Sequence, residues 1–338
     1  MKKNDSLKLI IIAAAFIISV VIEHLPAISA VTLTLVHFFC LACCGRIAFY
    51  LIRMPLPESP VDKAVISYIL GWCFIPILAA FAFIFGSIGP AVGIVILACI
   101  FFAIYLFKKD KHYISTDIPI SLYIVAALFT VISIAIPFSC FSAKSIFREF
   151  YGDAVQRFGV IYSLSRNIPP ENPFFAGAPV RYYWLWMLPY AAEFKYICND
   201  LFTIWKCGQT WTALCFPLGI WYLLQNLLKN RKAAYIAILL ALIFTSYKIF
   251  AHPVLIHKIS ELAGINYSIP QNAKQIDPDF IIGILQKYSD QILTEDFLYI
   301  PQDIYAIIIT LTAITALTAG RISTGAVILS SLAGVNAF

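Results

Sequence analysis

The sequence predicts an all-α, polytopic transmembrane protein of about nine spans with two large external loops. Three observations predict it: an apolar composition, apolar runs that recur near the length of a bilayer crossing, and basic residues gathered in the short connections. Of 338 residues, 61% are hydrophobic and only 12% charged, whereas a soluble globule carries about a quarter charged. The apolar runs fall at 7–22, 30–52, 64–85, 91–107, 118–138, 210–228, 233–250, 304–319 and 322–338. Most approach the roughly 20 residues that cross the hydrocarbon layer.

Taken in order, the first run follows Lys2, Lys3 and Lys8 and could be a signal peptide cleaved near 27–30. Its apolar stretch is long for that purpose and a second helix follows almost at once, so it is read as an uncleaved first span. With the next four runs it makes a five-helix region, 1–138. Residues 139–209 form the first large external loop, with a juxtamembrane helix. A helix pair occupies 210–250, a second external loop 251–303, and C-terminal helices 304–338. The chain ends inside an apolar run at Phe338, which suggests a fragment.

The short connections carry Arg53 and Lys63, then Lys108, Lys109 and Lys111, then Lys229, Arg231 and Lys232. The positive-inside rule puts these in the cytoplasm together with the N-terminus. Adding Lys2, Lys3, Lys8, Arg46 and Arg321 gives 13 basic residues inside, against 5 acidic ones: Asp5, Glu58, Asp62, Asp110 and Asp117. This orientation holds only if 182–192 does not span. That segment is short and interrupted by Pro189, so it is read as a half-embedded helix on the outer face with its Tyr and Trp at headgroup level.

Polar residues inside the apolar runs are few. Glu23 and His24 fall at the end of the first span, where snorkelling accounts for them. His37 lies within the second, as a mark of a proton path or as a hydrogen-bonding partner of a neighbouring helix. Most of the nine Cys sit inside the runs and read as small apolar side chains. His252 and His257 fit no helical zinc spacing.

The segment 150–184, FYGDAVQRFGVIYSLSRNIPPENPFFAGAPVRYYW, is unusually polar and Pro-rich for this chain. Asp153 can cap a helix that runs to about Ser165, with Arg157 one turn beyond the carboxylate. Pro169–Pro170 then force an extended path, and Asn172-Pro173 and Ala176-Gly177 add turns. Two readings of Asp153 stand open: an N-cap carboxylate paired with Arg157, or a general base whose pKa is raised by partial desolvation at the membrane surface.

The run 152–184 resembles the first external loop of the GT-C superfamily of membrane glycosyltransferases, including bacterial members related to the protein O-mannosyltransferases. The matching positions are Asp153, Pro169, Pro170, Glu171, Asn172, Pro173, Ala176, Gly177, Pro179, Arg181 and Tyr182. The remainder of the chain agrees in hydropathy alone. The resemblance implies an enzyme of the bacterial inner membrane, using a polyprenyl-phosphate sugar donor on the non-cytoplasmic face, with Asp153 as the base that deprotonates the acceptor. It implies donor-binding roles for Arg157, Arg181, Tyr182, Tyr183, Glu171, Asn172 and Gln302. This chain departs from related bacterial sequences where they carry His, at Arg157, Tyr183 and Asp303, so a His-dependent metal or acid role lacks its residues.

Arg157, Arg166 and Arg181 are the guanidiniums near Asp153 able to hold a lipid phosphate, Arg181 foremost, although Arg181 can equally anchor the following helix at the interface. Tyr182, Tyr183, Trp184 and Trp186 can stack on a sugar or simply form an aromatic belt. A divalent cation, Mg or Mn, would need further acids. Asp277 and Asp279 are the candidate ligand pair, with Glu171, Glu295, Asp296 and Asp303 as others. The expected partners are the bilayer and the donor lipid, with no nucleic acid. Two alternatives stay open: a transporter or flippase of a lipid-linked precursor, which needs charged groups lining a path, and a non-catalytic GT-C-like scaffold.

Overall fold

The computed structural model describes residues 3–52, 57–105, 117–135, 152–173, 177–180, 184–250 and 301–330, and among these every regular element is helical. Helix α1 (Lys3–Ile22) and α2 (Ala27–Ile52) are joined by a turn in which His24 takes a positive φ of 53°. Then follow α3 (Pro60–Gly71), α4 (Ile75–Ile84), α5 (Ile88–Tyr105) and α6 (Ile120–Thr130). Next come α7 (Gly152–Leu164), α8 (Leu188–Tyr196), α9 (Leu201–Leu228), α10 (Arg231–Phe250), α11 (Pro301–Thr318) and α12 (Ile322–Ser330).

Among the described residues four stretches are long and apolar enough to cross a membrane: Asn4–Ile22, Ala27–Ile47, Pro60–Ile84 and Leu201–Leu228. Three shorter apolar helices, Ile88–Leu97, Ile120–Thr130 and Ile304–Thr318, overlap other predicted runs. The run 64–85 was expected as one helix and is segmented. Pro76 has no N–H and its ring crowds the carbonyl four residues back, so the chain tightens to a 3-10 turn at Trp72–Phe74 between α3 and α4. In the segment expected to stop short of a span, the described part is a 3-10 turn at Leu185–Met187 followed by α8 of 9 residues.

The outside of the helices is apolar. Ile28 is 85% and Ile84 72% exposed, with Ile10, Val21, Leu35 and Leu97 also bare, far more apolar surface than a soluble monomer tolerates and the expected face towards lipid. The inside is built around α9, which is buried continuously from Thr203 to Leu223 and packs against α2, α3, α6, α10 and α11. Backbones meet most closely between α2 and α3. A Cβ on Gly45 would lie 1.7 Å from the Ser67 carbonyl oxygen, and one on Gly71 2.1 Å from that of Leu41. Glycine at both crossings lets the two backbones touch, the packing that replaces the hydrophobic effect between helices in lipid.

One carboxylate ties three elements at one end of the bundle. Asp62, in the first turn of α3, accepts from Lys8 Nζ of α1 at 2.8 and 2.7 Å, from Tyr123 OH of α6 at 2.6 Å and from the Ile118 N–H at 2.7 Å. Ser59 caps α3, its hydroxyl accepting from Asp62 N–H at 3.3 Å, and its own N–H donates to Asp117 at 3.2 Å. Lys8, Asp62 and Tyr123 are buried. Replacing Asp62 with Ala leaves a buried ammonium without its partner and is expected to cost about 3–5 kcal/mol, while the double change Lys8→Met with Asp62→Leu recovers most of it. Unfolding in detergent measures both; a single variant as stable as the wild type would refute this role.

Candidate functional site

The segment singled out by its polarity folds as a helix with a loop laid back on it. Helix α7 begins at Gly152, so Asp153 lies in its first turn rather than at its cap, and it ends at Leu164. Val160, Ile161 and Leu164 are fully buried, and Phe158 packs its ring 5.2 Å from that of Phe202 and 5.4 Å from that of Trp205 on α9. Arg157, one turn beyond Asp153, is only 1% exposed. A guanidinium so enclosed is held by the protein rather than offered to a lipid at the headgroup level. Arg166 is exposed and stacks 4.1 Å above the Tyr162 ring.

The Pro-rich passage after α7 is closed by hydrogen bonds. Ser163 Oγ accepts from Glu171 N–H at 2.7 Å, Asn172 N–H donates to Ala178 O at 2.8 Å, and Val180 N–H donates to Pro170 O at 2.9 Å. Gly177 turns the chain at a φ of 78°. Pro173 lies so close to α7 that a Cβ on Gly159 would sit 2.6 Å from its own Cβ. Glu171 is exposed and accepts from Asn167 Nδ2 at 3.4 Å. Asn172 and Gly177 therefore have clear structural work in shaping the loop. Gln302 and Asp303 fall in the first turn of α11. Arg181, Tyr182, Tyr183, Asp277, Asp279, Glu295 and Asp296 lie outside the described residues. Among the described residues no group of three His, Cys, Asp or Glu side chains is arranged to hold a metal.

Beneath α7 and α8 is a polar core that the sequence only hinted at. His37 of α2 bonds through Nδ1 to Glu193 of α8 at 2.5 Å and through Nε2 to Tyr68 OH of α3 at 3.1 Å. Tyr68 OH lies 2.9 Å from Thr212 Oγ1 of α9, which itself donates to Gly208 O at 2.9 Å. Because that last hydroxyl spends its hydrogen on a carbonyl, Tyr68 donates to Thr212 and the His37 Nε2–H donates to Tyr68. His37 Nδ1 and Glu193 then share one proton. These bonds clamp four helices, α2, α3, α8 and α9, to one another.

A second set joins α8, α9 and α11. Gln209 Nε2 donates to Tyr190 OH at 2.9 Å and to Tyr305 OH at 3.3 Å, and the two phenols are 2.9 Å apart. Trp72 stacks 3.8 Å from Tyr305, and Trp186 stands edge-on to Tyr190 at 6.1 Å. Trp186 is fully buried, so it belongs to this core and not to an interfacial belt. Gly208 admits the set: a Cβ there would meet Tyr190 Cε1 at 2.6 Å and His37 Cε1 at 3.2 Å.

Glu23, expected to snorkel, is instead buried at 3% exposure because α9 presents Thr210 to it, whose hydroxyl donates to Glu23 Oε1 at 3.0 Å. Burial pushes the Glu23 carboxyl up to about 8, with the nearby Lys206 ammonium and the Thr210 hydroxyl acting in the opposite sense. Helix α9 starts at Leu201 rather than at 210, where the apolar run begins, and so brings Lys206 and Gln209, assigned to the preceding loop, onto the same helix as Thr210 and Thr212.

No family model matches the chain, and no curated protein or solved structure is similar to it.

The Glu23 carboxyl has a folded-state pKa above its ordinary value of 4.5, so its contribution to stability is complete below about pH 4.5 and is lost as pH rises through about 8. Thermal unfolding of wild type and Glu23→Gln at pH 6 and pH 9 checks this. The wild type is expected to lose stability relative to the variant at the higher pH, and a gap that stays constant would contradict it.

Proposed function

We propose that this chain is a GT-C-like integral membrane glycosyltransferase that moves a sugar from a polyprenyl-phosphate donor to an acceptor on the non-cytoplasmic face. The observation that carries the proposal is the run 152–184, whose acid, paired prolines, Glu-Asn-Pro and Ala-Gly positions resemble that family's first external loop. Its described part, a helix with Asp153 in the first turn and a loop folded back onto it, is compatible with such a site.

In this mechanism the Asp153 carboxylate takes the proton of the acceptor hydroxyl as its oxygen bonds to the anomeric carbon. The bond from that carbon to the phosphate oxygen breaks, and the electron pair leaves with the lipid phosphate. A single displacement inverts the anomeric centre. Arg181 holds the leaving phosphate, and Arg157 lies one turn beyond the acid on α7. Tyr182, Tyr183, Glu171, Asn172 and Gln302 surround the donor.

The proposal carries a topology with it: an N-terminus in the cytoplasm, about nine spans, the segments 139–209 and 251–303 outside, and a bacterial inner membrane as the site of action. Supporting it, the connections at 57–62, 117–119 and 229–232, grouped by charge, meet at one end of the bundle. Asp62 bonds Ile118 N–H, and Asp117 lines one cavity with Arg231 and Lys232. A transporter would need its intramembrane ionisable groups to line a path; here His37 and Glu193 are spent on each other.

The test is transfer by the reconstituted protein from a panel of polyprenyl-phosphate hexoses and pentoses. Asp153→Asn is expected to fold, to bind donor and to lose transfer by about 10²–10⁴-fold, the range typical of a lost general base. Undiminished transfer by that variant would overturn the assignment.

A further inference from the structure

A cysteine buried singly behaves as a small apolar side chain, and Cys215, wholly enclosed in α9, is one of these. Three others are gathered where α2 packs against α5. Cys40 and Cys43, three residues apart, share one face of α2, and the Cys99 thiol of α5 is hydrogen-bonded to both. All three are free thiols; Cys99 is buried and the other two are half-buried.

The seam between the two helices opens onto lipid. Phe39 beside Cys40, and Ile96, Leu97 and Ile100 around Cys99, are each more than half exposed. Cys43 lies four residues from Ile47, the end of the span Ala27–Ile47, a distance of about 6 Å along the helix axis. An oxidant that reaches these sulfurs must dissolve in the bilayer and yet bring its polar reactive group close to the headgroup level. A hydroperoxide carried on an apolar chain or ring does both. The cluster is not built for ligation, since among the described residues no group of three His, Cys, Asp or Glu side chains is arranged to hold a metal. What three adjoining thiols do offer is a pair of electrons and a second sulfur within reach of the first.

We propose that these thiols form a redox-modification site, at which Cys99 joins Cys40 or Cys43 in a disulfide across α2 and α5 at the expense of a hydroperoxide dissolved in the bilayer. In the first step one sulfur bonds to the terminal peroxide oxygen, the O–O bond breaks, and the thiol proton goes to the departing alkoxide. The products are a sulfenic acid and an alcohol. In the second step the neighbouring sulfur bonds to the oxidised one, and the S–O bond breaks as its hydroxyl leaves with the second thiol proton as water. Two electrons have then passed from the sulfurs to the peroxide, and the two helices are covalently joined. The site is independent of the 152–184 segment and of the activity proposed for it.

The experiment uses the full chain in phosphatidylcholine nanodiscs, treated with cumene hydroperoxide, with hydrogen peroxide at the same concentration, or with neither, then blocked with N-ethylmaleimide and digested without reductant. Mass spectrometry of the peptides and the cumyl alcohol released are the readouts. Cumene hydroperoxide is expected to yield a peptide containing Cys99 joined to one containing Cys40 and Cys43, with one cumyl alcohol per joined pair, and dithiothreitol to separate them. Cys40→Ala and Cys43→Ala are each expected to keep the joined peptide, because Cys99 touches both, whereas Cys99→Ala and the double change of Cys40 and Cys43 to Ala lose it. Cys198→Ala, at a half-buried thiol outside the seam, leaves it intact. The proposal is overturned if the wild-type chain gives no joined peptide containing Cys99, if Cys99→Ala releases as much cumyl alcohol as the wild type, or if hydrogen peroxide joins the peptides as readily as cumene hydroperoxide.

Discussion

A polar side chain that enters a bilayer must find its partner inside the protein, because the surrounding hydrocarbon supplies none. The bonds between His37 and Glu193, from His37 through Tyr68 to Thr212, and from Gln209 to Tyr190 and Tyr305 meet that demand on α9 and the helices around it. Hydrophobic burial cannot select one helix arrangement when lipid tails are as apolar as leucine. Directional bonds and close glycine contacts can. Helix α9 thus acts as the hub: it carries Gly208, Gln209, Thr210 and Thr212, which meet α1, α2, α3, α8 and α11 within little more than one turn.

The same clamp connects the scaffold to the candidate site. Glu193 and Tyr190 belong to α8, and α8 is one of the supports on which α7 rests. Phe158 of α7 reaches past it to Phe202 and Trp205 of α9. Pro173 in turn lies against α7 at Gly159. At the opposite end the Asp62 cluster performs the corresponding task for α1, α3 and α6 with an ion pair.

Much of the architecture was legible in the sequence because lipid imposes a length and a composition on each crossing. Lys8, Asp62 and Asp117, which the sequence reading put on one side of the membrane, are drawn together at the start of α3 by Ser59 and Ile118. The break near Pro76 was only half readable: proline removes a hydrogen bond from the helix ladder, yet α9 runs unbroken through Pro217. Glu23 and Trp186 were misjudged for a common reason. Both were assigned to the interface from their place along a run, but burial depends on what the neighbouring helix presents, and α9 lies against both. The pairing of His37 with Glu193, separated by 156 residues, is a property of the assembled bundle that no local pattern encodes. At the candidate site, the loop-forming roles of Asn172 and Gly177 follow turn chemistry, whereas the enclosure of Arg157 depends on tertiary packing.

The claim that internal polar bonds specify this bundle is tested most directly by a double-mutant cycle between His37 and Glu193. Stabilities of His37→Ala, Glu193→Ala and the double variant, measured by reversible unfolding in mixed micelles, yield the coupling energy. A coupling of about 1–3 kcal/mol, as found for residues that share one buried bond network, is the predicted result. Additive losses, with a coupling near zero, would show that the pair does not hold the helices together and would contradict the account.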